Sequence, residues 1–426
     1  MTDHEALLRA VCASPDDDLP RLVLADWLEE QGDAAQAEFI RAQVQLATTP
    51  PWEPFAVTVK HRRPDLLTGQ PWRETLPRIG SGIMVDWNPD GPFRRGFGYS
   101  VHVKQLATFL TMAPQLLEVC PVGELLLPSG TREDWNAFAN APWLRNIRSL
   151  KFTFASNLIE PVRALAASPY ATGLESVAFD VCTSPAMGVI VEALVQSPLA
   201  KQLKRLSFSV GSDTDGEIAE QLASVELPKL EELAFKTMSL GESTWPTLEV
   251  LKYTSSLRHL KIANQRFENF VDVENSKCKL ELDSIILEHC ENTIHHNDEY
   301  DGWSESRSLS SKIVENVRSC MIDNCNIELY GTEMEQYRQL RQLRLTSCNQ
   351  SGWNRGFIFD LLSIMNWNDL VEVDVRGNEI SENEFSRWFD LPLGPSLTAV
   401  VLDGDSLSDY LQDQLRDHFG ERLVLK

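Results

Sequence analysis

Residues 340–348, with the sequence LRQLRLTSC, decide the fold of this 426-residue chain. They follow the pattern L-x-x-L-x-L-x-x-C, and the same spacing recurs along most of the chain from residue 122 onward. We call the middle apolar residue of each recurrence its anchor. The anchors are Leu125, Leu150, Val177, Leu206, Leu233, Leu260, Ile285, Cys320, Leu343, Val373 and Val400.

The mean spacing of these anchors is 27.5 residues, which is enough for a short strand, a helix of two or three turns and two connections. A period of about 20 to 29 residues with this signature is typical of the leucine-rich repeat, and its length resembles the ribonuclease-inhibitor type. Strands stack about 4.8 Å apart, whereas helices pack no closer than about 8–10 Å, so the stack must curve. The spacing predicts an α/β leucine-rich-repeat solenoid with a curved parallel sheet inside and helices outside.

The cysteines fit this repeat. Cysteine or another small polar residue lies three positions after the last apolar strand residue in six units, at Cys182, Cys290, Cys325, Cys348, Asn378 and Asp405. At this position the chain turns inward, and a small side chain can bond the neighbouring turn to form a ladder. We therefore expect reduced, structural thiols, with Cys320 acting as a small apolar anchor.

A metal site is the alternative for some of these residues. The chemical types found in zinc sites occur together at Cys278, His289, Cys290, His295 and His296. Their spacing matches no zinc motif, and no second cysteine pair accompanies them. The sequence therefore predicts no metal ion and no other cofactor.

Three regions follow one another along the chain. Residues 1–48 contain three short amphipathic segments, which predict a small helical cap domain. Residues 49–96 are interrupted by eight prolines and are expected to form an irregular linker of short pieces. Residues 97–426 hold the repeats, with a degenerate first unit and a final helix as caps at the two ends.

The N-terminal region resembles a known family. Its motif residues include 16–18, 20–22, 25–30, 32–33 and 38–43, within the stretch EALLRAVCASPDDDLPRLVLADWLEEQGDAAQAEFIRAQ. This stretch resembles the repeat-companion domain of planctomycetes and some myxobacteria, found at the N-terminus of many of their leucine-rich-repeat proteins. The resemblance implies a bacterial repeat protein and supplies no catalytic residue. We expect Trp27 to be core and Arg21, Glu38 and Arg41 to form pairs within the domain, with a recognition patch as the alternative.

Charge narrows the range of partners and compartments. The formal net charge is −23, which disfavours nucleic acid and anionic membranes and favours a protein partner with a basic surface. No apolar run of about 18 residues occurs, and the N-terminus lacks a signal-peptide core, so we expect a cytoplasmic protein that does not enter a membrane.

One stretch departs from this acidic character. Residues 49–96 interleave seven Lys or Arg residues with Trp52, Trp72 and Trp87, and five acidic residues leave a net charge of +2. Such a composition can bind nucleic acid through stacking and phosphate contacts. We expect instead that these basic residues dock onto the acidic remainder of the chain.

No catalytic motif is present, neither a phosphate-binding loop nor a nucleophile elbow nor a zinc-protease helix, and we expect no enzyme activity. The favoured function is a protein-binding scaffold that uses the concave face of the solenoid. The alternative is an acidic inhibitor or immunity-type protein that masks a basic intracellular enzyme. A structural spacer is a third possibility.

The repeat also predicts where a partner binds. Because side chains alternate along a strand, residues next to the anchors point to the concave face. This places Lys261, Ile286, Met321, Arg344 and Asp374 in one column, and an acidic insertion at 289–311 would steer a basic partner. A one-residue slip would instead bury Ile286 and Met321. The complete predicted site is Lys261, Ile286, Glu288, Met321, Asp323, Arg344, Glu372, Asp374 and Arg376.

Overall fold

The computed structural model describes residues 2–79, 85–89, 91–153, 158–182, 187–210, 218, 220–222, 224–237, 256–264, 266–267, 281–292, 317–325, 339–348, 358, 362–363, 365–378 and 380–426. These residues form a mixed α/β fold of helices and mostly parallel strands. The chain divides into two compact units. Unit one is Met1–Pro50 with Arg62–Leu230, and unit two is Pro51–His61 with Glu231–Lys426.

Unit one begins with three packed helices, α1 Asp3–Ala13, α2 Leu19–Glu30 and α3 Ala34–Thr48. Thr2 and Glu5 form a capping box at the start of α1, and the Asp33 carboxylate accepts from the Gln36 N–H at the start of α3. These bonds satisfy amide groups that the first turn of a helix leaves free. The apolar faces meet in a core of Val11, Leu24, Ala25, Leu28, Ala37, Ile40 and Val44.

Arg41 forms ion pairs within this region as predicted, whereas Glu38 pairs with Arg63, which lies outside residues 1–48. Arg41 contacts Asp26 and Glu29 at 2.6 Å each. The buried Arg21 guanidinium donates to the Asp17 and Pro15 carbonyls. Trp27 is partly buried and packs against the helical core.

Residues 49–96 form short elements. Two helices, α4 Pro54–Arg62 and α5 Pro64–Thr68, precede the 3-10 helix Gln70–Thr75. Strands β1 Val85–Trp87, β2 Phe93–Arg94 and β3 Phe97–Gly98 follow, and β2 pairs with β3. Residues 51–61, which include most of α4, belong to unit two.

A parallel sheet makes up the rest of unit one. Its strands are β4 Ser100–Val103, β5 Glu124–Leu127, β6 Ser149–Thr153, β7 Ser176–Cys182 and β8 Arg205–Val210. Strand β1 pairs antiparallel with β4 at the edge. The connections contain α6 Leu106–Val119, α7 Arg132–Ala139, α8 Ile159–Ala166, α9 Met187–Val195 and the 3-10 helices Pro142–Asn146, Ala171–Gly173 and Pro198–Lys201.

Unit two contains a second run of parallel strands in the order β9-β10-β12-β14-β15-β16-β17-β18. Their bounds are β9 Glu232–Thr237, β10 His259–Ala263, β12 Ser284–Glu288, β14 Ser319–Asp323, β15 Gln342–Thr346, β16 Glu372–Asp374, β17 Ala399–Leu402 and β18 Leu423–Leu425. The two-residue strands β11 Arg266–Phe267 and β13 Glu291–Asn292 pair separately. Helices Glu382–Phe385 and Asp409–Phe419 and the 3-10 helices Ser386–Asp390, Gly404–Ser406 and Gly420–Arg422 lie among the last strands.

The predicted anchors are confirmed as one buried register position in each unit. In unit one, Leu125, Leu150, Val177 and Leu206 pair in succession. In unit two the succession is Leu233, Leu260, Ile285, Cys320, Leu343, Val373 and Val400. Each is at most 3% exposed. The spacing in the sequence is therefore the spacing of stacked strands.

Strands β10, β12, β14 and β15 are each followed by a residue with left-handed backbone. Asn264, His289, Asn324 and Ser347 have φ between 48° and 57°. Their N–H groups donate across to the carbonyls of Glu288, Asp323, Thr346 and Arg376 in the next unit, at 2.8–2.9 Å. Asparagine tolerates this conformation better than most residues. The turn directs the following residue back under the sheet.

In unit two, the residue after the turn forms the predicted ladder, whereas Cys182 of unit one is the last residue of strand β7 and pairs with Val210. Cys290 donates to the Ile262 carbonyl, Cys325 to Leu287, Cys348 to Ile322, and Asn378 to Leu345. Asp405 differs from the prediction, because it is exposed within the Gly404–Ser406 helix. The Gly404 N–H bonds instead to the carbonyl of Lys426, at the end of the chain.

Candidate functional site

The column of residues beside the anchors of unit two has the predicted register. Lys261 pairs with Ile286, Ile286 with Met321, Met321 with Arg344, and Arg344 with Asp374. Ile286 and Met321 are partly exposed, whereas the residues on either side of each are buried. The strands have therefore not slipped by one residue. We call Ile286 and Met321 the apolar patch.

Ion pairs and a hydrogen bond flank the apolar patch. Lys261 Nζ lies 2.6 Å from Glu288 Oε1 on one side. On the other side, Arg344 Nε lies 3.2 Å and Arg376 Nη2 lies 2.8 Å from Asp374 Oδ2. The Thr346 hydroxyl donates to the Asp323 carboxylate. The charges of this face are therefore largely neutralised by their own neighbours.

The structure differs from the prediction at two of the nine residues. Glu372 and Asp374 are 0% exposed, so they are not available to a partner in this state. The other seven, Lys261, Ile286, Glu288, Met321, Asp323, Arg344 and Arg376, are partly exposed. Glu372 is contacted by another segment of the chain, and Asp374 is held by Arg344 and Arg376.

Helix α4 is that segment. Val57 forms a buried apolar cluster with Val371, Ala399 and Val401. The Glu53 carboxylate pairs with Arg341, and the Trp52 ring lies 6.2 Å from that of His259. We call Val371, Glu372, Ala399 and Val401 the α4 groove. In the described part of residues 49–96, basic side chains pair with acidic residues elsewhere in the chain. Lys60 pairs with Glu372, Arg63 with Glu38 and Arg95 with Asp18.

Glu372 is the centre of the polar contacts in this groove. Its Oε1 lies 2.6 Å from Lys60 Nζ and 2.9 Å from His61 Nε2, and the Gln342 amide donates to Oε2. Burial by itself raises the pKa of Glu372, but the hydrogen bond to His61 and the charge of Lys60 outweigh it and lower that pKa to about 2. Burial lowers the pKa of Lys60. The site therefore holds a buried carboxylate in its ionised form.

The pKa of Glu372 predicts a pH dependence of stability. Its value of about 2 in the folded protein is below the reference value of 4.5, so the stabilisation is complete above pH 4.5 and is lost as pH falls toward 2. The loss should total about 3 kcal/mol. Glu372→Gln lacks this contribution, so the gap in melting temperature between wild type and variant should shrink from about pH 6 to about pH 3. Melting curves across this range test it, and a constant gap contradicts it.

The cysteines have the environment of structural thiols. Cys12, Cys120, Cys320, Cys325 and Cys348 are free. Burial raises the pKa of Cys120 and Cys320 to about 12, and of Cys12 and Cys348 to about 11. Within the described ranges, no three His, Cys, Asp or Glu residues are placed to hold a metal ion. Cys278, His295 and His296 and most of the 289–311 insertion lie outside those ranges.

We expect eight titratable thiols when the protein is denatured without reductant. Cys12, Cys120, Cys320 and Cys348 should react slowly before denaturation, because the thiolate is the reactive form and a raised pKa leaves little of it at neutral pH. Titration with a thiol reagent before and after denaturation, with elemental analysis for zinc, checks both points. Fewer than eight thiols, or one zinc ion per chain, would contradict the assignment.

Sequence reasoning missed the groove and its occupant. Val57, Lys60, His61 and Gln342 were not among the predicted site residues. A signal was present in Ala399–Leu402, four consecutive apolar residues in which the alternation expected of a half-exposed strand is absent. Such a run is typical of a strand buried on both faces. The run indicated that this face of the strand is buried, but it did not identify α4 as the segment that buries it.

Among the helices that the structure describes, none is long and apolar enough to cross a membrane. A scan of the chain against models of protein families found no match, and a search of curated proteins found none similar to it.

Proposed function

We propose that this chain is a leucine-rich-repeat scaffold that binds a protein through the apolar patch. The observation that carries this proposal is the adjacency of Ile286 and Met321, two partly exposed apolar side chains on neighbouring strands, between the Lys261–Glu288 and Arg344–Asp374 pairs. An apolar centre with a polar rim is the usual form of a binding hot spot. Protein binding is therefore the function that this face supports best.

The repeat type is part of the proposal. It is supported by the spacing of the anchors, by their shared register and by the ladder of cysteine and asparagine side chains at the turns. In this interpretation residues 1–48 are a helical cap of the repeat-companion type on a bacterial protein. Reduced thiols at the ladder positions suit a cytoplasmic setting.

The acidic inhibitor is the second candidate. The net charge of −23 favours it, because an acidic protein attracts a basic enzyme over a distance. The predicted site itself does not add to this attraction. Its basic residues Lys261, Arg344 and Arg376 are bonded to its own carboxylates. We therefore rank the inhibitor below the scaffold, and a spacer without a ligand below both.

Charge substitution in the apolar patch tests the binding surface. Ile286→Glu and Met321→Glu should lower the capture of bound proteins from lysate at least tenfold, because a carboxylate replaces the desolvated centre of the interface. Their melting temperatures should stay within a few degrees of wild type, since both side chains are already partly exposed. A large loss of stability would show that these residues belong to the core.

Val189→Glu is the matched control, because Val189 is an exposed apolar residue in unit one, 48% accessible. It should change neither capture nor melting temperature. Capture at low and high salt separates the candidates. One basic partner lost at high salt favours the inhibitor, several partners favour the scaffold, and none favours the spacer.

A further inference from the structure

The α4 groove is occupied by residues 51–61, which contain most of helix α4. Residues 51–61 belong to unit two, while the residues on both sides of them, up to Pro50 and from Arg62, belong to unit one. The groove is thus filled by an 11-residue insertion and not by the repeats that build it. This arrangement has the form of a bound peptide held by its two ends.

The seating of α4 follows a recognisable chemical pattern. An apolar residue, Val57, enters the cluster of Val371, Ala399 and Val401. Lys60 and His61, three and four positions later, reach the Glu372 carboxylate. Residues three and four apart lie on the same face of a helix. The groove therefore recognises one helix face, with an apolar anchor followed by a basic pair.

This seating is incomplete. His61 is buried, and its Nδ1 has no hydrogen-bond partner among the residues that the structure describes. The Lys60 side chain is only 27% exposed, and this burial lowers its pKa. A buried polar atom without a partner costs free energy. A helix with a better basic pair could therefore bind this groove more tightly than α4 does.

We propose that the α4 groove is a docking site for a basic amphipathic helix of a partner protein, and that α4 is its built-in competitor. The partner helix carries an aliphatic residue and, three and four positions later, lysine or arginine. Glu372 receives this basic pair, and arginine is well suited to a buried carboxylate because its donors form a planar fork. Laying an amphipathic helix into an apolar groove is a common mode of recognition. This site is separate from the apolar patch and does not rest on it.

Tethering determines how the competition behaves. A segment attached at both ends has a high effective concentration at its own groove, on the order of millimolar for short linkers. A free peptide therefore binds the wild-type chain weakly, and loosening α4 unmasks the groove. The quantity to measure is the affinity of a free peptide for the unmasked groove.

The probe is a fluorescently labelled peptide of residues 51–62, PWEPFAVTVKHR, and the proteins are the full chain and its variants. Val57→Asp in the chain should lower the Kd for the probe at least tenfold relative to wild type. Adding Glu372→Gln to Val57→Asp should raise the Kd again at least tenfold. The same probe made with Val57→Asp should not bind.

A second readout keeps the test decisive if Val57→Asp folds poorly. The probe should raise the melting temperature of that variant toward the wild-type value, because a ligand that binds only the folded state stabilises it. Val57→Ala removes apolar contact without adding a charge and should give the same order of affinities. Equal binding to wild type and both variants, or binding to none of them, would overturn the proposal.

The chemistry of the partner is tested by competition. An unrelated helical peptide with valine followed three and four positions later by lysine and arginine should displace the probe from Val57→Asp, and a scrambled version should not. Failure of the patterned peptide would show that the groove accepts only its own segment. A wild-type chain that dimerises in sedimentation and responds to neither peptide would assign the groove to a second copy and also overturn the proposal.

Discussion

We expect Leu150→Ala to lower the free energy of unfolding of unit one by about 2–5 kcal/mol. Leu150 is an anchor with 0% exposure, and it pairs with the anchors Leu125 and Val177 on the two neighbouring strands. Truncating a leucine between two packed neighbours removes apolar burial and leaves a cavity that stacked strands cannot collapse to fill. The defect therefore affects the packing on both sides of the strand.

Leu19→Ala is the matched control, since it makes the same chemical change in the same unit. Leu19 begins helix α2 and is 65% exposed. Its loss should change stability by less than about 0.5 kcal/mol. Chemical denaturation of both variants, followed by circular dichroism, measures the difference. Similar losses for the two variants would mean that the assigned register position is not the one that carries the core.

The second large effect is expected at Glu372. Glu372→Ala should lower the free energy of unfolding by about 3–5 kcal/mol, because Lys60 and Arg344 lose the carboxylate that neutralises them. Removing one partner of a buried ion pair is more costly than removing the pair, since the remaining charge keeps its desolvation cost. Adding Lys60→Met should therefore restore part of the loss.

Glu288→Ala provides the comparison for Glu372→Ala. Glu288 pairs with Lys261 at the same 2.6 Å as Glu372 with Lys60, but its side chain is 32% exposed. A pair in contact with water contributes at most about 1 kcal/mol. Denaturation of the two variants under the same conditions separates burial from charge. Equal losses would show that Glu372 is solvated in solution and that α4 is not seated on it.

The two ends of the polar face of unit two differ in exposure. One end, at Ile286 and Met321, is open and has charges balanced by their neighbours. The other end, at Glu372 and Asp374, is buried under α4 or held in ion pairs. A partner that used the complete predicted site would first have to displace α4. The two ends are therefore proposed as separate sites with separate tests.

Much of the fold could be predicted because it follows a local rule repeated along the chain. The spacing L-x-x-L-x-L placed every anchor, and the period-two alternation of a strand placed Lys261, Ile286, Met321, Arg344 and Asp374 in one column. The same rule located the turn residues Cys290, Cys325, Cys348 and Asn378. Each of these positions depends only on residues within its own unit and the next.

The candidate site could be predicted only in part, because the occupant of the groove comes from far away in sequence. Lys60 and Glu372 are 312 residues apart, and neither carries a local signal of the other. Val57, Lys60 and His61 lie between Pro54 and Pro64, and this composition is equally compatible with an irregular linker. The apolar run Ala399–Leu402 shows that something covers the strand, but not what does.

The sequence by itself therefore determined the repeating unit, its register and its turn chemistry, since these arise from side-chain periodicity and backbone geometry over a few residues. Only the tertiary structure decided which polar residues of the face are exposed and which are buried. Burial of a charge such as Glu372 is favourable only where several partners converge on it, here Lys60, His61 and Gln342. That convergence is a property of the folded chain, because it brings together residues that no periodic pattern connects.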